Sequence, residues 1–414
     1  MTRNLSEELQ ARGFVYQYSA EKLEDIFDSG KTRTIYLGID PTADSMHVGH
    51  LVPYMMLNHM MQAGHNVIAV MGGGTALIGD PSFKDTERDI ASEETIAKQC
   101  EGLEANIRKI TTSDKIRFVN NYDWLSKLTM LSFLRDVGKH FTINSLIKRE
   151  SVVARLEGEN GISYTEFSYA LLQGYDFYHL NQEFACDVQI GGSDQWGNII
   201  SGVDYIRRVT GNEAFALTMP LIVDKATGKK FGKSEGNAVW LDPEKTSPYA
   251  FYQFWLNASD ESAIDYLKLF TFLTLEEIAE IEAEWQKNPG GRHAQKRLAH
   301  EVTKFIHGTE TADSVAKVSS ILFGEGAVAD LTSEEHKVLS DNAPTGEAKV
   351  GDSVVDVLAL TNLASSKREA RTFIESGAIT LGEDKITDIE ATLGTPGTMI
   401  LKRGKKQLVV LTIT

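Results

Sequence analysis

Between residues 32 and 222 five short apolar runs, RTIYLGI, NVIAVMGG, KIRFV, CDVQIGG and FALTMPLIV, alternate with segments of helical periodicity. Runs of this length, rich in β-branched residues and bounded by glycine, read as buried strands, and helices lie between most of them. That alternation confines the first half of the chain to an α/β fold built on a parallel sheet. The stretch 124–160 is helical in pattern, interrupts the alternation and reads as an insertion. From 247 to 322 the strand signals vanish. In RHAQKRLAHEVTKFIH, residues Ala294, Leu298, Val302 and Phe305 fall on one helical face, the pattern of a small helical domain. Residues 323–350 are polar and hold proline and glycine, so they read as a linker. A compact piece, 351–414, follows with its own helix and strand signals. The expected division is therefore 1–224, a connector at 225–246, 247–322, the linker, and 351–414.

At 414 residues the chain is too long for one typical domain. Its two cysteines, Cys100 and Cys186, make no disulfide framework and suit a reducing compartment. The opening MTRNLSEELQARG is charged rather than secretory, and no apolar run approaches the ~18 residues of a membrane span. A cytoplasmic protein with no membrane association is expected. The net charge of -16 argues against nucleic acid as a partner, but local clusters run the other way: GKKFGK at 228–233, KREAR at 367–371 and KRGKK at 402–406.

In open α/β sheets ligands bind beyond the carboxyl ends of the strands. Three loops stand there, after Ile39, Met71 and Ile190. The second, GGGTALIGDPS, is glycine-rich without matching G-x-G-x-x-G. In the third, IGGSDQWGN, Gly191 and Gly192 allow close approach of a ligand to the backbone, and Asp194 suits a ribose hydroxyl. GKKFGKS fails as a P-loop, because only three residues separate Gly228 from Gly232 and no long helix follows. His47 and His50, three apart at a helix start in YLGIDPTADSMHVGH, admit three readings. A metal pair lacks a third ligand at suitable spacing; an inert pair is possible; imidazoles at a helix start also suit phosphoryl oxygens. In SYALLQGYD, Tyr169, Gln173 and Asp176 stand at i, i+4 and i+7, a polar stripe among apolar neighbours. Such a stripe is either a hydrogen-bonded core network or a seat for a polar ligand.

HVGH at 47–50 resembles the HIGH signature of class I aminoacyl-tRNA synthetases, and KFGKS at 230–234 resembles their KMSKS loop, in the same order and with fitting separation. With GIDPTADSMHVGH, IGDPS, TEFSYALLQGYDF, GGSDQWGN and KFGKSEGNAVWLD, nearly the whole chain is similar to the bacterial tyrosyl-tRNA synthetases, and SSKREARTFIESGAITLG looks like their terminal S4-type RNA-binding domain. Val48 departs from HIGH, and Phe231 and Gly232 depart from KMSKS; none of these removes a charged or hydrogen-bonding side chain. The resemblance implies a Rossmann-like catalytic domain with a helical insertion, a helical domain and a small α+β S4-like domain. It also implies activation of L-tyrosine by ATP, followed by transfer to tRNA.

The same resemblance implies the residue roles. Thr42, His47, His50, Lys84, Arg88, Lys230, Lys233 and Ser234 would stabilise the phosphates. Tyr36 and Asp176 would read the substrate phenol; Tyr169, Gln173 and Asp80 the ammonium; Gln195 the carboxylate. Gly38, Asp40, Gly49, Gly191, Gly192 and Asp194 would join the histidines and Lys233 around ATP. Mg²⁺ would accompany the nucleotide, with no tightly bound protein metal, and a homodimer is implied. Lys367, Arg368, Arg371, Lys402, Arg403, Lys405 and Lys406 are expected on the RNA-binding surface. Three rivals fit less of the chain. A tryptophanyl enzyme leaves the paired hydroxyl readers and the S4-like end unexplained. A small-molecule nucleotidyltransferase leaves everything beyond the catalytic domain unexplained. A non-enzymatic RNA-binding protein gives the polar stripe no purpose.

Overall fold

A computed structural model describes residues 3–82, 91–158, 161–223, 231–234, 237–323, 326, 328–404 and 407–414, the side chains of 150, 151, 233, 234 and 237 excepted. The chain divides into two compact units, Met1–Thr246 with Asn257–Leu298, and Ser247–Leu256 with Ala299–Thr414. Among the described residues no helix is long and apolar enough to cross a membrane.

The first unit is built on six strands, β1 (Gln17–Tyr18), β2 (Thr34–Ile39), β3 (Asn66–Met71), β4 (Ile116–Asn120), β5 (Val188–Gly192) and β6 (Phe215–Met219), in the spatial order β1-β6-β5-β2-β3-β4. All neighbours are parallel except β1, which runs antiparallel along the edge of β6. The five parallel strands are the five apolar runs of the sequence. Every residue of β6, and β3 from Val67 to Met71, is buried, as expected where helices cover both faces. The chain lays β2, β3 and β4 outward in one direction, then returns to place β5 and β6 on the other side of β2. The order therefore reverses between β2 and β5, where crossovers leave opposite faces and open a crevice above the strand ends.

The helix Tyr164–Phe184 carries the polar stripe under that crevice. Ser163 and Glu166 form a capping box at its start, and Arg155 grips both Glu166 oxygens at 2.7 and 2.8 Å with both side chains buried. The insertion at 124–160 is not one helical stretch. It is cut into short pieces, including Met130–Ser132, a π-helical turn Phe133–Val137, Ile143–Leu146 and Glu150–Glu157. Thr129 and Thr142 start new turns there by accepting hydrogen bonds from the amides of Ser132 and Ser145.

In the second unit a five-stranded sheet has the order β11-β10-β12-β13-β9. Its members are β9 (Thr345–Ala348), β10 (Ile379–Leu381), β11 (Asp384–Ile386), β12 (Gly397–Arg403) and β13 (Gln407–Ile413); β7 (Lys233–Ser234) and β8 (Asn237–Ala238) form a separate hairpin in the first unit. One sheet face packs Leu401, Val409 and Leu411 against Leu358 and Ile374 of the helices Val354–Leu360 and Lys367–Glu375. The other face packs Ile400 and Val410 against Val318, Ile321, Leu322 and Leu339.

Two sequence expectations differ from this arrangement. Part of the linker is structured: Ser333–Asn342 is a helix with a Thr332/Glu335 capping box and a buried Leu339, and β9 pairs in parallel with β13. The helical stretch 247–322 is shared, since 257–298 groups with the catalytic unit and the division falls inside the helix His293–His307.

Candidate active site

A cavity of about 320 Å³ fills the crevice between β2 and β5. Tyr36 and Gln189, side by side in register on those strands, line it together with Tyr169, Gln173 and Asp176 of the helix Tyr164–Phe184. Gly38 near the end of β2 lines it with Asp40, Thr42 and His50 beyond that strand, Gly191 and Gly192 at the end of β5 line it with Asp194 and Gln195 beyond, and Asp80 lines it from the loop after β3. The three strand-end loops of the sequence thus meet at one place. Gly72 permits it: a Cβ there would stand 2.1 Å from the Asp40 carboxylate and 2.7 Å from the Thr75 hydroxyl.

Asp176 is buried, and both its oxygens are engaged. Asn121 Nδ2 donates to one at 2.9 Å and Trp124 Nε1 to the other at 2.7 Å. Burial pushes its pKa up to about 7; the two donors hold it down, and the nearby Asp40 charge adds to the rise. Burial, then Asp176, raises the Tyr36 hydroxyl well above the usual range, so it is an undissociated donor. Among the described residues the Tyr36 hydroxyl has no hydrogen-bond partner, and neither do the Oε1 atoms of Gln173 and Gln189. Buried polar atoms without partners on one cavity wall are the mark of a site shaped for a polar ligand.

Nearer the start of the helix that carries Asp176, Tyr169 donates its hydroxyl proton to Asp40 at 2.8 Å, and Thr75 donates to the other Asp40 oxygen at 2.8 Å. The Tyr169 oxygen therefore faces the cavity as an acceptor. Gln195 Nε2 donates to Asp80 at 2.8 Å, and Asn198 Nδ2 donates to Gln195 Oε1 at 3.1 Å. This end gathers carboxylates and acceptors, a seat for a cation.

His47 and His50 flank a single 3-10 turn, Val48–His50, which runs into the helix Leu51–Gln62. Their rings stack with centroids 3.9 Å apart. The Gly49 amide donates to His47 Nδ1 at 3.0 Å, and the His47 amide donates to His50 Nδ1 at 3.3 Å. With Nδ1 accepting, each neutral ring carries its proton on Nε2, which fixes both as donors. This turn and Phe231 line a second cavity of about 220 Å³. The HVGH and KFGKS segments are bridged by Val239: Val48 donates to the Val239 carbonyl at 2.9 Å, and Val239 donates to that of Gly232 at 3.1 Å.

Lys84, Arg88, Lys230, Lys405 and Lys406 lie outside the described residues, as do the side chains of Lys233 and Ser234. Asn121, Trp124, Thr75 and Gln189 belong to the site and were not singled out from the sequence. Asn121 and Trp124 follow β4, a fourth strand end at the same sheet edge, and that position was the available signal.

The basic residues of the second unit separate into two groups. Arg368 and Arg371 are exposed on the helix Lys367–Glu375, and Lys367 pairs with Asp356 at 2.8 Å. Arg403 instead donates to the Leu363 carbonyl at 2.6 Å and lies over the Phe373 ring at 4.5 Å. Lys402 donates to the Ile321 carbonyl at 3.5 Å, and burial lowers its pKa.

Residues 29–324 match the family described as tRNA synthetases class I (W and Y), and residues 335–411 match the Tyrosine--tRNA ligase SYY-like C-terminal domain. The chain is 46% identical to a tyrosine-tRNA ligase of Streptococcus mutans, covering 98% of this chain and 99% of that one. It is 47% identical to tyrosine-tRNA ligase 2 of Enterococcus faecalis, with 98% of each chain covered. Among solved structures it is similar to a C-terminally truncated mitochondrial tyrosyl-tRNA synthetase of Aspergillus nidulans, at a TM-score of 0.71 and 31% identity over 78% of this chain and 95% of that one. A tryptophanyl-tRNA synthetase of Encephalitozoon cuniculi shares the fold, at a TM-score of 0.56 and 14% identity, covering 81% of this chain and 92% of that one.

Proposed function

The chain belongs to the tyrosyl-tRNA synthetase family and joins tyrosine to tRNA using ATP, and we propose the residue roles by which its site does so. The single observation that carries the assignment is the Tyr36 hydroxyl, buried and without a partner, on the cavity wall it shares with Asp176. The substrate phenol accepts from Tyr36 and donates to Asp176. The carboxylate is kept in an accepting state by Asn121 and Trp124. The substrate ammonium sits at the far end, donating to the Tyr169 oxygen, to Gln173 Oε1 and to Asp80. Phenylalanine would leave the Tyr36 hydroxyl desolvated and unpaired and would give the Asp176 carboxylate no third donor, which is what rejects it.

The tyrosine carboxylate is already a nucleophile. It attacks the α-phosphorus of ATP, and pyrophosphate leaves. Activation needs no base; it needs two anions held together and charge stabilised as it moves onto the leaving phosphates. His47 and His50 donate from Nε2 to phosphoryl oxygens, with Thr42 beside them. Asp194 holds the ribose, Gly191 and Gly192 admit the nucleotide close to the backbone, and Gln195 stands near the carboxylate. Gly38, Asp40 and Gly49 complete the ATP seat. Lys84, Arg88, Lys230, Lys233 and Ser234 serve the pyrophosphate. Mg²⁺ would accompany ATP as part of the substrate and add to the neutralisation of its phosphates, and the enzyme works in the cytoplasm.

A homodimer is supported by the insertion, where Met130, Leu131 and Ile143 are 75%, 79% and 60% exposed. Large apolar side chains so exposed within one segment gain from a covering surface, and a second copy offers an identical one. For tRNA, the exposed face of the helix Lys367–Glu375 is the phosphate-binding surface.

Amino-acid-dependent exchange of pyrophosphate into ATP tests the reading. Exchange with tyrosine alone is expected; exchange driven by tryptophan, or by phenylalanine to a similar extent, overturns it.

A further inference from the structure

The aromatic residue of the KFGKS segment is buried, although the sequence around it, GKKFGK, is basic. The Phe231 ring lies 4.9 Å from that of Tyr266 and 5.1 Å from that of Phe270, stacked on the latter at 28°. Tyr266 and Phe270 stand one turn apart on the helix Asp260–Phe270 and meet edge to face at 5.8 Å. Together they form a socket for one side chain.

The mount of this socket is itself fixed. Arg12, 3% exposed, donates to the carbonyls of Lys268, Thr271 and Leu273 at 3.0, 3.2 and 2.7 Å, and Glu8 accepts from its Nε at 2.6 Å. Lys268 lies in the last turn of that helix, whose carbonyls lack intrahelical donors, and Thr271 and Leu273 lie in the turn that follows. A buried guanidinium that satisfies three carbonyls cannot shift without stranding its own charge.

The backbone at Phe231 is pressed against the histidine turn from the other side. Its amide donates to the Ile222 carbonyl at 3.1 Å, and its carbonyl oxygen lies 3.5 Å from where a Cβ on Gly49 would stand. Gly232, at φ +93, comes so close that a Cβ on it would lie 3.1 Å from the Gly49 nitrogen and 3.3 Å from Val48. Only glycine combines that backbone angle with that approach. One residue is thus held by a rigid socket on its ring side and by the His47–His50 turn on its backbone side, with Lys230 next to it and Lys233 two residues on.

Taking that turn as the phosphate site, we propose that Phe231 is a positioning residue for adenylate formation. Its socket on Tyr266 and Phe270 sets the register of the lysine-bearing segment against the two histidines, and acts on phosphate transfer rather than on tyrosine binding. Small displacements of groups that stabilise a transition state cost rate steeply, whereas the tyrosine pocket lies on other elements.

The test compares Phe231→Ala, Phe231→Met and Phe270→Ala in the full chain. In pyrophosphate exchange, kcat for Phe231→Ala and Phe270→Ala should fall ~tenfold or more, with tyrosine Kd within about twofold of the parent. Phe231→Met, which keeps an apolar chain in the socket, should recover to within about threefold. Trypsin should cut after Lys230 and Lys233 faster in Phe231→Ala than in the parent, and Phe231→Met should restore the parent's rate. A folded Phe231→Ala with the parent's kcat overturns the proposal, and so does a parallel loss of kcat and tyrosine affinity. If Phe231→Ala fails to fold, Phe231→Val and Phe270→Val, which shorten the side chain without emptying the socket fully, decide the matter by the same two readouts: a lower kcat at unchanged tyrosine Kd is expected, and the parent's kcat in both overturns the proposal. A parent chain without tyrosine-dependent exchange would refute the reading of the site instead; an unaltered tryptic rate would then still refute the socket.

Discussion

At the scale of single residues, Asp176 and Tyr36 divide the work of reading the phenol, and each leaves its own signature. Asp176 stands near pH 7 because burial opposes its charge while Asn121 and Trp124 favour it. A phenol hydroxyl donating to it is a third stabiliser of the ionised form, so bound tyrosine lowers this pKa and binding expels a proton from any protonated Asp176. Tyrosine affinity should therefore be constant above about pH 7 and fall as pH drops below it, approaching tenfold per pH unit. Titrating intrinsic tryptophan fluorescence with tyrosine from pH 5.5 to 8.5 checks this; a flat Kd across the range contradicts it. Tyr36→Phe makes a prediction of opposite sign for stability and specificity. It deletes a buried hydroxyl that has no partner in the ligand-free protein, so thermal stability should hold or rise, by up to about 1–3 kcal/mol. The kcat/KM ratio of tyrosine to phenylalanine should nevertheless drop by at least ~tenfold, because the substrate oxygen loses its donor. Loss of stability, or an unchanged ratio, would mean that the hydroxyl is engaged elsewhere.

At the scale of elements, the helix Tyr164–Phe184 works only if its stripe is aimed, and Arg155 on Glu166 helps to aim it. Both side chains are buried, so removing one strands the other. Arg155→Met should destabilise the catalytic unit by about 3–5 kcal/mol in urea unfolding. Arg155→Met with Glu166→Gln keeps the cap, removes the stranded charge and should regain part of that; a double variant no better than the single one would show that the ion pair is not the cause. This helix also shows why the sequence was informative where it was. Its i, i+4, i+7 stripe and the five parallel strands are local patterns that burial writes into the sequence. Strand β1 left no such mark, because Gln17–Tyr18 is two residues long and half of it is exposed. Asp176 was legible from its spacing, but Asn121 and Trp124 reach it across 55 and 52 residues of chain, and no local pattern encodes that. The stretch 323–350 read as linker from composition alone. The T-x-x-E signature of Thr332 and Glu335 was present in it and outweighs composition, because a satisfied helix start is a specific physical commitment while polarity is only an average.

At the scale of the whole molecule, a chain of net charge -16 must bind a polyanion through a local surface. The last domain holds eight basic residues, the seven expected on the RNA-binding surface and Lys385, and among those described the fold separates residues free to meet phosphate from those already employed. Arg403 caps the Leu363 carbonyl and covers Phe373, and Lys402 reaches the Ile321 carbonyl from a half-buried position. Arg368 and Arg371 project from the helix Lys367–Glu375 with no such duty among the described residues. Neutralising the two groups should have different consequences. Arg368→Gln with Arg371→Gln should leave melting and tyrosine-dependent exchange unchanged and weaken tRNA binding. The slope of log K against log salt should become shallower by up to ~0.9 for each phosphate that an arginine no longer neutralises, less over single strands. Arg403→Ala should instead lower the stability of the sheet, because a carbonyl loses its donor and an aromatic face its cover. Any loss of tRNA affinity there should follow unfolding and keep the parent's salt slope wherever the protein is folded. Truncation before residue 351 is a poor substitute for these variants. It would take from β9 the strand it pairs with and bare Val318, Ile321, Leu322 and Leu339, so the truncated chain should aggregate more readily even though the tyrosine pocket lies wholly in the other unit. If Arg368→Gln with Arg371→Gln leaves the slope as steep as in the parent, tRNA phosphates are met elsewhere on the molecule, and the helix Lys367–Glu375 is a solvated face.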